Sequence, residues 1–301
     1  MENKFGILSR IKEIYEKGGN IIQFLKGSDT STKNSLEDIL ISYDFQAGSY
    51  VEYVKNHPDF IENYSKLIAS EFKKLNSEIS SIMEVGVGEA TTLANVVEKL
   101  DNNNMDALGF DISWSRIHYG NKYIKDKKLM NVDLFTGDLF NIPLSDNSID
   151  IVYTSHTLEP NSGREREALE ELYRVTNKFL ILIEPAYELV NAELQKRMDS
   201  HGYVKNLVGI SRELGYKIIE NRAFELYSNK LNPSQIIIIE KQKNNSVKHS
   251  GFSCPITKTK LNKENEAFYY STEGLLVYPI IKNIPCLLPQ NAIVATHLKD
   301  F

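Results

Sequence analysis

The segment SIMEVGVGEATTL at positions 81–93 constrains this chain more than any other stretch. An apolar run with strand character leads into Glu84, Gly86 and Gly88, and a helical pattern starts immediately afterwards. Glycines at such a junction let the chain turn tightly and let a ligand come close to the backbone. Taken alone, a Gly-x-Gly turn is a weak sign, because ordinary strand–helix turns also use glycine. Its meaning depends on what comes next.

What comes next is an alternation of short apolar runs with amphipathic ones. Strands are expected at 81–85, 107–111, 132–136, 149–154, 179–184, 216–220 and 235–241. Helices are expected at 90–100, 115–127, 165–175 and 189–214. This alternation predicts an α/β fold, a seven-stranded, mainly parallel sheet with helices on both faces. A long loop rather than a helix joins the last two runs, which fits one antiparallel strand at the end of the sheet. Ahead of this region, residues 1–78 read as helices, with Ile7, Ile11, Ile14 and Tyr15, then Ile61, Tyr64, Leu67 and Ile68, at helical spacing. A polar stretch at 27–35 reads as a loop between them. Behind it, a polar linker at 241–251 precedes a small β-rich module at 252–301. The expected division is thus 1–78, 79–242 and 252–301.

Acidic residues follow the glycine turn in a telling order. Asp111 ends the second strand, 23 residues beyond Gly88, where an acid can accept from both ribose hydroxyls of a nucleoside. Asp138 follows the third strand, positioned to accept from an adenine amino group, with the backbone of Leu139 reading the ring edge. Ile112 beside Asp111, and Thr154 at the end of the fourth strand, complete the candidate cofactor set of Glu84, Gly86, Gly88, Asp111, Ile112, Asp138, Leu139 and Thr154.

Glu84-x-Gly86-x-Gly88, Asp111, Gly137-Asp138 and SIDIVYTSHTLEP resemble the successive motifs of class I S-adenosylmethionine (SAM)-dependent methyltransferases, over roughly residues 80–240. The resemblance implies a Rossmann-like fold and SAM as cofactor, S-adenosylhomocysteine as product, and no metal. It also implies that Glu84 lies near the methionine amino group, Asp111 at the ribose and Asp138 at adenine. Ala90 departs from the family by replacing a third glycine, a mild change. The rival in the same fold class is a nicotinamide dehydrogenase, whose anionic pyrophosphate prefers an uncrowded helix N-terminus. Glu84 and Glu89 flanking the turn suit a sulfonium and an ammonium better, which favours SAM.

Methyl transfer to oxygen or nitrogen needs positioning more than it needs a catalytic group, and a base only where the acceptor must lose a proton. His156 and Glu159 follow the fourth strand, and Glu184 ends the fifth, on the edge where ligands bind in such sheets. The aromatic segment at 41–54 contains Tyr43, Asp44, Gln46, Tyr50 and Tyr53 and reads as a helical lid able to exclude water. His156, Glu159, Glu184 and Tyr43 are the candidate catalytic residues.

The net charge of −5 lacks the basic footprint of a nucleic-acid binder, although Lys125, Lys127 and Lys128, and Lys241, Lys243 and Lys248, form local clusters. No run reaches the roughly 20 apolar residues of a membrane span, and the N-terminus lacks a secretory core, so a cytoplasmic location and no membrane partner are expected. In the tail, Cys254-Pro255, Gly274-Leu275, Tyr278-Pro279-Ile280, Ile284-Pro285 and Leu287-Leu288-Pro289 resemble the small zinc-ribbon-derived proteins that activate tRNA, ribosomal-RNA and release-factor methyltransferases. The chain has only two cysteines, of which Cys254 alone falls on a ligand position, so no zinc site is expected. The preferred function is methylation of a small-molecule or sugar-like acceptor. RNA or protein as acceptor, and a non-catalytic SAM-binding regulatory protein, are the alternatives.

Overall fold

Strands buried on both faces must be apolar along their whole length, and the central runs of this chain are. In the computed structural model, which describes residues 4–26, 34–102, 104–241 and 251–300, they form a seven-stranded sheet. Its strands are β1 (Ser81–Val85), β2 (Asp106–Asp111), β3 (Val132–Thr136), β4 (Ile149–Ser155), β5 (Thr176–Pro185), β6 (Lys217–Ala223) and β7 (Ser234–Glu240), in the order β3-β2-β1-β4-β5-β7-β6. Every residue of β1 is buried, as expected for a parallel strand covered on both sides. Strand β6 instead alternates between exposed and half-buried positions and forms one edge of the sheet.

Strands β1 to β5 run parallel, and β7 is antiparallel to both its neighbours. The antiparallel strand is therefore not at the end of the sheet, because β7 inserts between β5 and β6. The composition explains this. Ile236, Ile237, Ile238 and Ile239 are at most 4% exposed, an apolar content that an edge position would leave in water.

Helices α6 (Thr91–Leu100), α7 (Trp114–Asp126) and α8 (Glu165–Val175) cross between strands, and the core divides into two apolar clusters on opposite faces of the sheet. The single helix expected at 189–214 is two, α9 (Ala192–Ser200) and α10 (Leu207–Glu213). Gly202 and Asn206 take positive φ of 68° and 57°, which no helix tolerates, and between them Val204 N–H donates to the carbonyl of Glu159 at 3.1 Å. The break serves tertiary structure: it carries the chain back to the loop after β4.

The N-terminal region contains α1 (Leu8–Glu16), α2 (Ile21–Lys26), α3 (Leu36–Phe45), α4 (Ser49–Asn56) and α5 (Pro58–Lys73). Helix α5 packs on the sheet through Tyr64, Ile68 and Phe72. Residues 27–33 of the expected polar loop, and 242–250 of the expected linker with Lys243 and Lys248, lie outside the described residues. Among the described residues no helix is long and apolar enough to cross a membrane.

The C-terminal residues form β8 (Asn262–Lys263), β9 (Phe268–Ser271), β10 (Leu276–Ile281), β11 (Ile284–Pro285) and β12 (Ile293–Val294), an antiparallel sheet. It docks on the open edge of the large sheet. Cys286 bridges Thr136 in parallel sense, and Leu287 N–H donates to the Thr136 carbonyl at 3.0 Å. Cys254, Leu261, Tyr278 and Leu287 join the same apolar cluster as Leu108, Phe110 and Phe135. Because this core is shared, Leu287→Ala should destabilise the whole chain by about 2–5 kcal/mol. Urea unfolding should then show one transition moved to lower denaturant, and a separate early transition for the small sheet would contradict the shared core.

Candidate functional site

The parallel register brings the carboxyl ends of β1, β2, β3 and β4 to one edge, pairing Val85 with Phe110 and Thr154, and Asp111 with Thr136. A cleft of about 150 Å³ opens there. Gly86, Gly88, Asp111, Ile112, Asp138 and Leu139 all line it.

The turn after β1 is built for close approach. Gly86 and Gly88 have φ of +65° and +55°, in the left-handed region that favours glycine. A Cβ on Gly86 would come within 2.3 Å of Thr157, and one on Gly88 would press on the Tyr50 ring at 3.3 Å. Ala90, where the third glycine was expected, also has positive φ, at 55°. The substitution is thus less mild than its size suggests, since left-handed backbone disfavours any Cβ. Its Cβ is accommodated because Gly120 of α7, facing it, has none.

Asp111 fixes the geometry of the turn. One carboxylate oxygen accepts from Gly88 N–H at 3.0 Å and the other from Ser113 N–H at 2.9 Å. Burial raises its pKa, against the opposing pull of Arg116 and these two amides. A carboxylate offers about four lone-pair sites, so each oxygen retains capacity for a ligand hydroxyl. Asp138 is held likewise, accepting from Phe140 N–H at 3.1 Å and from Asn141 Nδ2 at 2.9 Å.

Glu84 lines a second cavity, of about 220 Å³. This cavity shares Gly86, Gly88, Tyr50, Ser155 and His156 with the first. Burial pushes Glu84 up to about 8, although Tyr153 donates to it at 2.9 Å. Thr154 is fully buried and does not line the cleft.

The four candidate catalytic residues separate. His156 and Tyr43 line the cleft, and Glu159 and Glu184 do not. His156 sits in left-handed backbone at φ 58°, with Nδ1 2.8 Å from Glu159 Oε2 and Nε2 2.8 Å from Ser234 Oγ. Burial alone would lower its pKa, but the hydrogen bond and charge of Glu159 outweigh that and raise it. Both ring nitrogens are engaged, so the residue anchors the post-β4 loop. Glu159 also accepts from Asn232 Nδ2 at 2.9 Å, and its pKa is lowered despite burial by His156. Glu184 is fully buried and accepts from Thr157 and Leu158 N–H at 3.0 and 3.1 Å, while burial pushes it up to about 7.

Sequence reasoning missed how the helices close over this cleft. Arg116 is 1% exposed and lies 4.9 Å from the Tyr43 ring centroid and 4.4 Å from that of Tyr50, and its Nε donates to the Tyr43 carbonyl at 2.9 Å. Asp44 caps the start of α7, accepting from Ser113 Oγ at 2.6 Å and Ser115 N–H at 3.1 Å. Glu89, expected to face a cationic ligand, instead accepts from Gly48 and Val51 N–H at 2.8 and 2.7 Å, at the start of α4. These partners lie 38 to 73 residues away in sequence, too far for any local pattern to reveal. Leu36 and Ile39 of α3 complete the cover.

The sites of the two cysteines are equally plain. Cys254 and Cys286 are free and buried, and Cys254 Sγ accepts from Thr257 N–H at 3.4 Å. Among the described residues no group of three or more His, Cys, Asp or Glu side chains is arranged to hold a metal ion.

Residues 82–178 match a family model described as a methyltransferase domain. No curated protein matches the chain significantly. Similar solved structures include a SAM-dependent methyltransferase from Aquifex aeolicus, 18% identical, covering 57% of this chain and 87% of that one at a TM-score of 0.42. Magnesium protoporphyrin IX methyltransferase from Synechocystis PCC 6803 with bound SAH is 12% identical, covering 78% of this chain and 99% of that one at 0.49. A chain from the Haloferax volcanii complex between a methyltransferase activator and its methyltransferase is 13% identical, covering 66% and 96% at 0.49. Residues 82–178, with the glycine turn and the parallel strands around it, carry a methyltransferase domain. The enzyme it defines is SAM-dependent.

The donor set fits that cofactor: bare backbone at Gly86 and Gly88, acceptors at Asp111 and Asp138, and apolar Ile112, Leu139 and Phe140 between them. The buried acids leave a signature in the ligand-free protein. With Glu84 held at about 8 and Glu184 at about 7, the folded state retains protons that the unfolded chain releases near 4.5. Their contribution to stability is full below about pH 4.5 and is lost as pH rises through about 8. Thermal midpoints should therefore fall more steeply over that window in the wild type than in Glu84→Gln, whereas parallel curves would rule this out.

Proposed function

We propose that this chain transfers a methyl group from SAM to an oxygen or nitrogen of a small-molecule acceptor, sugar-like acceptors included. In this reading Asp111 and Ile112 receive the ribose, Asp138 and Leu139 the adenine, and Glu84, Gly86 and Gly88 the methionine end. SAM supplies a methyl group on a sulfonium, a leaving group that requires no acid from the protein. The remaining task for the chain is to align the reactants and exclude water. Tyr43, Tyr50, Leu36 and Ile39 cover the cleft for that purpose, while Glu159, Ser234 and Glu184 hold His156 and the loop after β4 in place. His156 thus acts as a positioning residue at the joint between the two cavities.

The observation that carries the small-molecule reading is the roof. Helices α3 and α4 are tied down by Asp44, Glu89 and Arg116, and Leu36, Ile39, Tyr43 and Tyr50 cover the cleft beneath them, leaving a small site in place of a broad docking face. The net charge of −5 supports the same reading, since a polyanionic acceptor would be repelled.

An RNA or protein acceptor is the second reading, favoured by the C-terminal module. It grips the cofactor loop from both ends: Leu287 binds Thr136 before Gly137-Asp138, and Ser253 N–H donates to the Pro143 carbonyl at 2.9 Å after it. Lys258 Nζ adds a 2.8 Å bond to Glu171, which itself accepts from Ile142 N–H at 2.7 Å. Such bracing is what a fused activator would provide, with apolar burial in place of a zinc site.

Titration calorimetry should show S-adenosylhomocysteine binding, weakened by about 10- to 100-fold in Asp111→Ala, the loss expected for hydrogen bonds to a charged group. Tritiated methyl transfer to cell extract fractionated into small molecules, RNA and protein separates the two acceptor readings. Label confined to RNA or protein would refute the first. Tight NADH binding without any response to S-adenosylhomocysteine would overturn the cofactor assignment.

A further inference from the structure

The second cavity has a wall chemistry of its own. Tyr50, Tyr53, Phe60 and Tyr64 from the N-terminal helices face Tyr227 from the loop after β6, with Val54, Ile61 and Val87 filling gaps. The rings are fixed by one another. Tyr53 meets Phe60 edge-on with centroids 6.2 Å apart, Phe60 stacks on Tyr64 at 5.5 Å, and Tyr64 meets Phe224 edge-on at 5.7 Å. Tyr53 is also stacked on His57 at 4.2 Å. Ring walls of this kind favour another ring by offset stacking or edge-to-face contact, and they lose little entropy in receiving it.

The polar lining consists of hydroxyls, from Thr91, Thr92, Ser155, Ser228 and the tyrosines, with His156 and Glu84. No lysine or arginine lines the cavity, and Glu84 is its one carboxylate. An acceptor bearing phosphate or carboxylate would find no lysine or arginine there to pair with. At the floor, beside the glycine turn, Tyr64 Oη and Ser155 Oγ form a 2.8 Å hydrogen bond with His156 adjacent. That pair can accept from and donate to one hydroxyl brought in on a ring.

Building on the reading of the chain as a small-molecule methyltransferase, we propose that this cavity is the acceptor site and that it takes an uncharged, flat aromatic compound bearing a hydroxyl. Its volume of about 220 Å³ suits a small ring system and not an extended one. The hydroxyl lies at the Tyr64–Ser155 floor, where the two cavities join, and the ring system lies between Tyr53 and Tyr227.

The test is binding of defined probes to the protein saturated with S-adenosylhomocysteine, followed by calorimetry. The probes are 2-naphthol, catechol and 7-hydroxycoumarin, against glucose and AMP. At least one hydroxylated aromatic should bind more tightly than glucose and AMP. Tyr53→Ala and Tyr227→Ala should each weaken it by about 3- to 10-fold, as stacking contacts do. Both substituted tyrosines lie outside the cleft given to ribose and adenine, so S-adenosylhomocysteine affinity should change less than that of the aromatic probe. The proposal fails if none of the three aromatics binds, if AMP or glucose binds more tightly, or if neither substitution alters the affinity. Absence of S-adenosylhomocysteine binding in the wild type would instead strike the function on which the proposal rests.

Discussion

Asp111 is the residue on which the cleft depends. Its two oxygens join the amide of Gly88, in the turn after β1, to that of Ser113, at the start of α7. Two loops from neighbouring strands are thereby fixed relative to one another before any ligand arrives. The burial that this demands raises its pKa, so the protein keeps a partly desolvated acid at the edge of the cleft. Preorganisation of this kind reduces the entropy lost on binding.

Around this joint the same device recurs, a carboxylate accepting from the exposed amides of a distant element. Asp44 does so for α7, Glu89 for α4, Glu184 for the loop after β4, and Glu171 for the loop after β3. Each acid is held by backbone, so none is released by a single side-chain change elsewhere. The cover, the glycine turn and the loop carrying His156 therefore share one scaffold. Arg116, between Tyr43 and Tyr50, supplies the positive charge at its centre.

The sheet was legible in the sequence because burial on both faces forces continuous apolar runs, and the acids at the ends of β1, β2 and β3 stood at family spacing. The position of β7 was not legible. Local pattern shows that a strand exists, but not which neighbours it takes, and four consecutive isoleucines only became decisive once the edges were known. The break at Gly202 and Asn206 was hidden for a different reason, since the residues on either side keep helical spacing. Among the expected site residues, Gly86, Gly88, Asp111 and Asp138, which act through their own turns, come together along one cleft. Those acting across the fold were misread or missed: Glu89 was assigned to a ligand and serves a helix, and Arg116 gave no local signal at all.

The grip of the small C-terminal sheet on Thr136 sets an order of events during synthesis. Pro285, whose carbonyl accepts from the Thr136 hydroxyl at 3.5 Å, is made 149 residues later. At ordinary translation rates that is a delay of roughly 7–30 s. Throughout it the β3 edge is an unpaired template for foreign strands, with Phe135 and Leu108 lacking the apolar cover they later receive. Completion of the cleft's β3 side is thus a late step in synthesis, and the nascent chain's dependence on chaperones should be concentrated in that interval.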